Sequence, residues 1–113
     1  MPRSSAESSA MTAAAISTLA RERAAIAREI AVLEALGEAE HECVALWAGR
    51  CTKAVGESRD DLVREAVGRL SVHQRMADDA AGELAELRSL AAEYETLAET
   101  LRARAAASSS IPS

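Results

Sequence analysis

Few side chains in this sequence could do chemistry. His41, Cys43 and His73 offer the nitrogen and sulfur donors that hold transition metals. Carboxylates recur at Glu38, Glu40 and Glu42, and Asp78 and Asp79 are adjacent further along. A metal site needs at least three ligands on converging vectors. Cys43 falls off the apolar line that carries His41 and His73, so the histidines read as semi-polar interruptions of a packed seam and no metal is assigned. Paired carboxylates serve acid–base catalysis when a pocket desolvates one of them. A chain built of long helices offers no such pocket, so these acids read as a solvated face. No Ser-His-Asp or Cys-His constellation can be assembled, and no glycine-rich phosphate loop is present. The residues point away from an enzyme and imply no cofactor.

The elements that would position these residues follow from composition. Ala, Leu, Glu and Arg dominate the 113 residues, Phe is absent, and Trp47 and Tyr94 are the only aromatics. Such a composition makes long helices rather than sheets. Two proline-free runs flank an interruption at Gly56-Glu57-Ser58-Arg59-Asp60-Asp61. Gly56 is suited to the left-handed conformation that ends a helix. Ser58 and Asp61 have capping-box spacing, and Asp60 and Asp61 put negative charge in a first turn. The expectation is an all-α, long antiparallel two-helix coiled-coil hairpin: a disordered tail over 1–11, a helix over 12–55 capped by Thr12, a turn over 56–59, a helix over 60–106, and a disordered tail over 108–113.

One register aligns the apolar positions of the two arms, with each pair of residue numbers having the same sum. Val55 falls opposite Leu62, Cys51 opposite Ala66, Trp47 opposite Leu70, Val44 opposite His73 and His41 opposite Met76. Gly37 then meets Ala80, Leu33 meets Leu84, Ile30 meets Leu87, Ile26 meets Ala91, Arg23 meets Tyr94, Leu19 meets Ala98 and Ile16 meets Leu101. Within each arm the steps are three and four, the rhythm of a coiled-coil seam. Gly37 opposite Ala80 predicts a close backbone approach or a weak point. Leu90 and Leu97 widen the line toward a further helix, so self-association is expected. Trp47 fits the seam against Leu70, and its place near the turn also makes it a candidate docking anchor.

The net charge of −5 is spread among interspersed basic and acidic residues. No basic patch suggests nucleic acid. Cys43 and Cys51 are separated by about 12 Å of helix rise, too far for a disulfide within one helix, and read as reduced thiols of a cytoplasmic protein. No stretch is apolar enough to span a membrane, and the N-terminal residues do not read as a signal peptide.

Arg59-Asp60-Asp61-Leu62-Val63-Arg64-Glu65-Ala66-Val67 resembles the R-E-D-L-A-R-E-A-L signature of the phage shock protein A family, bacterial relatives of the ESCRT-III membrane-remodelling proteins. In that family the signature opens the second arm of a helical hairpin. Trp47 shortly before it, the Ala-rich stretch over 48–55, and Leu19-Ala20-Arg21-Glu22-Arg23-Ala24-Ala25-Ile26-Ala27-Arg28-Glu29-Ile30 are similar as well. The resemblance spans about residues 16–104 and is most specific around the turn. It implies a cytoplasmic coiled-coil protein of the membrane-stress response, peripheral to the inner membrane. The implied partners are itself, a longer family member, or an AAA+ ATPase or activator bound through the hairpin. The family's basic amphipathic helix ahead of the hairpin has no counterpart in residues 1–11, where Arg3 is the only basic residue, and the family's later helices are missing too. The expectation is therefore the hairpin alone, reaching membranes only indirectly. An export-apparatus stalk or escort engaging a ring ATPase, or a holdase-like chaperone arm, are the alternative readings.

Overall fold

In the computed structural model, residues 5–109 are described, and they form two helices: α1, Ser5–Gly56, and α2, Asp60–Ser109. The expected all-α hairpin is the fold. Helix α1 starts at Ser5, not near Thr12, so part of the segment expected to be disordered is helical. Glu7 lies in its first turn, where a negative charge favours the helix. Thr12 is no cap: its hydroxyl donates to the carbonyl of Ser8, one turn back. Helix α2 likewise continues past 106. The tail expectations over residues 1–4 and 110–113 lie outside the described residues.

The turn is a Schellman closure. The N–H of Ser58 donates to Val55 O at 3.1 Å, and the N–H of Arg59 to Ala54 O at 2.9 Å. The left-handed residue this motif requires is Ser58, with φ of 54°, and no glycine has positive φ. Gly56 is instead the last residue of α1. The expected capping box of Ser58 with Asp61 does not form, because Ser58 is committed to ending α1. Arg59 stands just before α2 at its N-cap position, its carbonyl accepting from the N–H of Val63 at 3.0 Å.

The chain divides into two units. One comprises residues 30–86 and contains the turn. Its seam of buried and half-buried positions runs Leu33, Gly37, Glu40, Val44, Trp47, Cys51, Ala54 on α1 and Val63, Ala66, Leu70, His73, Ala77, Ala80, Leu84 on α2, with Ile30 continuing it and Cys43 and Ala48 half-buried beside it. These steps alternate strictly between three and four, and the predicted register holds. Two rungs shift by one residue. Ala54 and Val63 replace Val55 and Leu62, which are exposed, and Glu40 and Ala77 replace His41 and Met76, also exposed. Val55, Leu62 and Met76 are bulkier apolar residues than Ala54, Val63 and Ala77, and His41 is less polar than Glu40. Placing them on the seam requires consecutive steps of four, which carry a side chain off a heptad seam. A Cβ on Gly37 would meet nothing within 4 Å, so no close backbone approach depends on that glycine.

The other unit pairs the described residues up to 29 with those from 87 to 109. Leu19, Ile26 and Ala98 are buried, and Thr12, Ile16, Arg23, Ala91, Tyr94, Leu101 and Ala105 are half-buried. Ser9, Thr12 and Ala13 line a shallow groove with Ala105 and Ser108, which carries the seam beyond the predicted Ile16 rung. Among the described residues no large side chain is completely enclosed, as expected of a stripe covered by one helix. No helix there is long and apolar enough to cross a membrane.

Candidate functional site

Three features lie in the unit of residues 30–86. The first is the tip. Trp47 occupies its predicted seam rung but remains half-buried. Its ring is flanked by two guanidinium groups, that of Arg50 at 4.5 Å and that of Arg69 at 5.1 Å from the centroid, within cation–π range. Arg69 also pairs with Glu65, one turn away on α2, at 3.5 Å. Trp47, Ala54, Leu62 and Ala66 line an open groove of about 290 Å³ with the charged residues Arg50, Lys53, Glu57 and Glu65. The motif residues meet here. Glu65 and Ala66 are groove residues and Arg64 is exposed, while Arg59 forks onto Asp61 with contacts of 3.3 and 3.2 Å. That fork, and then the backbone N–H of Leu62, hold the Asp61 carboxyl below its ordinary pKa; the same fork raises Arg59.

The second feature is a polar cluster on the seam. Glu40 is 8% exposed and is the buried polar residue among those described. Its Oε2 lies 2.5 Å from His73 Nδ1, across the two helices. Cys43, one turn along α1, completes a group in which one donor atom from each of Glu40, Cys43 and His73 lies within 4.8 Å of the others. His41 does not join it. It is exposed, with Nδ1 2.7 Å from the carbonyl of Gly37. Glu38, Glu42, Asp78 and Asp79 are exposed, as expected for a solvated face. Sequence reasoning placed Glu40 with them and so missed its role. The missed signal was the strict heptad alternation, which puts Glu40 between Gly37 and Val44 on the seam.

The third feature is an apolar flank. Val32, Leu36 and Leu46 on α1, and Leu62, Val72 and Met76 on α2, are exposed, and each immediately precedes a seam residue. One residue back is a rotation of about 100° around a helix. In an antiparallel pair the helices wind in opposite senses about a common viewing direction and face each other. Preceding residues on both helices therefore turn to the same side. Only Val55 and Val67 among the large exposed apolar residues of this unit follow a seam residue instead. The same flank carries Arg50, Lys53 and Arg69, with Glu65 among them, toward the turn and Asp79, Glu83 and Glu86 away from it, all exposed. In the other unit, Leu97 is exposed and Leu90 half-buried, each again one residue before a seam position.

Compared with known proteins, the chain matches no family model, no curated protein and no solved structure.

Proposed function

We propose that this chain is a non-enzymatic hairpin subunit that works through protein–protein contacts, an assembly or regulatory element of the phage-shock-protein-A kind acting in membrane stress. The observation that carries the reading is the apolar flank of Val32, Leu36, Leu46, Leu62, Val72 and Met76. Large aliphatic side chains at heptad spacing on one side of a hairpin form the surface that another helical pair covers. The R-D-D-L-V-R-E-A-V stretch supports the family reading, since it spans the junction and opens α2.

The proposed occupant is a second copy of this hairpin, or the matching hairpin of a longer family member. The charge layout of the flank favours it. Arg50, Lys53 and Arg69 outnumber Glu65 at the end near the turn, and Asp79, Glu83 and Glu86 lie at the other. Two copies laid face to face with turns at opposite ends bring each basic end onto an acidic end and overlay the aliphatic centres. A copy arranged turn to turn would oppose like charges. Membrane contact in this reading comes through the partner.

Sedimentation velocity across the micromolar range tests the proposal. The expected result is a concentration-dependent dimer that weakens in high salt and is lost in a Leu36→Ser, Leu46→Ser variant with unchanged helical content. A wild-type monomer throughout that range would overturn self-association. Binding of the purified chain alone to anionic vesicles by flotation would overturn the indirect route to membranes.

A further inference from the structure

We propose that Glu40, Cys43 and His73 form a binding site for a transition-metal dication of the zinc class. One donor atom from each residue lies within 4.8 Å of the other two. Metal–ligand bonds of the zinc type place tetrahedral ligand atoms about 3.3–3.8 Å apart. Small side-chain rotations close that difference. Two ligands come from successive turns of α1 and the third from α2, the way facing helices of a bundle build a metal site.

The donor set selects the ion. A thiolate, an imidazole and a carboxylate together suit zinc or cobalt, whereas magnesium and calcium prefer all-oxygen sites. Three protein ligands leave a fourth position for water. Binding sends the Cys43 thiol proton to solvent, and the proton shared by His73 Nδ1 and Glu40 shifts to the other ring nitrogen or leaves to solvent as both groups turn to the metal, so loading releases at least one proton.

The surroundings fit. Placing a carboxylate on an apolar seam is costly unless it is paired. In this chain Glu40 occupies a seam rung where alanine or leucine would pack better. Of the adjoining seam residues, Gly37, Ala77 and Ala80 are small and Val44 is larger; a Cβ on Gly37 would meet nothing within 4 Å, so there is room beside the carboxylate on that side. Cys43 stands one residue before Val44, on the rim between the seam and the apolar flank, and remains half-buried. In the free hairpin the site is thus reachable from solvent on the Cys43 side, and the Glu40 side is buried.

Cobalt titration of the reduced full chain is the test, because cobalt reports both geometry and sulfur ligation. Saturation at one equivalent is expected, with a thiolate-to-metal charge-transfer band and the visible bands of tetrahedral cobalt, both displaced by zinc. Cys43→Ser should abolish the charge-transfer band, and Glu40→Gln and His73→Gln should each weaken binding at least about tenfold. Cys51→Ser, one of the seam residues remote from the cluster, should leave both unchanged. Zinc should raise the melting temperature of the wild type but not of Cys43→Ser. Circular dichroism of each variant verifies folding. Absence of saturable binding, or equal affinity in the wild type and in folded Cys43→Ser and His73→Gln, would overturn the site and leave Glu40 and His73 as an interhelical hydrogen bond.

Discussion

The backbone N–H of Arg59 donates to the carbonyl of Ala54 across the turn at 2.9 Å. Between these residues, Ser58 rather than Gly56 holds the left-handed conformation. An L-residue with a β-carbon pays about 1–2 kcal/mol to sit there, a cost glycine avoids. Gly56, in a helical conformation with open space around its missing Cβ, gains nothing from its freedom. Ser58→Gly is therefore expected to stabilise the hairpin by about 1 kcal/mol. Gly56→Ala should stabilise it by about 0.5–1 kcal/mol. Chemical denaturation measures both. A destabilising Gly56→Ala would mean that Gly56 supplies the left-handed residue after all.

The shifted seam makes a second expectation. Leu33 is buried at 8% exposure, and its neighbour Val32 is 66% exposed on the flank. Leu33→Ala should cost about 2–3 kcal/mol, because it removes a large side chain from a rung it shares with Leu84. Val32→Ala should change stability by no more than about 0.5 kcal/mol. Thermal melts of the two variants settle the assignment, and equal effects would contradict the heptad phase.

Much of this arrangement is legible in the sequence. The two proline-free runs and the common register pointed to the hairpin, because the three-four rhythm is a property of the chain and survives folding unchanged. Ranking residues by apolar bulk failed at two rungs. Bulk favours Val55 over Ala54, and charge disfavours Glu40 against His41, yet the helix turns by a fixed angle whatever the side chain. Glu40 was hidden for the same reason, since an acid is discounted on a seam unless its partner His73 is already known. Ser58 was hidden because a Schellman closure is fixed by hydrogen-bond geometry, and its left-handed position here is not held by glycine.

Acid should expose the junction between Arg59 and Asp61. The Arg59 guanidinium, with the Leu62 N–H, holds the Asp61 carboxyl below its ordinary value. A group whose pKa is lowered by folding contributes stability that is present above its unfolded value and lost as pH falls through its folded one. The unfolded value of an aspartate is about 3.9. The melting temperatures of the wild type and Asp61→Asn should therefore differ near neutrality and converge in acid. The difference should be modest and should shrink in salt, because both side chains are exposed. A difference that persists unchanged below the folded pKa would show that Asp61 acts through something other than its charge.

The pair of Glu40 and His73 can be tested without added metal by comparing a single and a double variant. Removing the imidazole in His73→Ala leaves a buried carboxylate without its cross-helix partner. That should cost about 1–3 kcal/mol. Replacing both residues by leucine restores an apolar rung, and such replacements of buried polar pairs are often neutral or stabilising by about 1–4 kcal/mol. The double variant is therefore expected to be at least as stable as the wild type, and the single variant less stable than either. The same double variant should lose all cobalt binding. Greater stability without metal, together with lost metal binding, would mean that the seam retains this pair for ligation and not for packing. If His73→Ala proves as stable as the wild type, the hydrogen bond to Glu40 contributes nothing to holding the helices together.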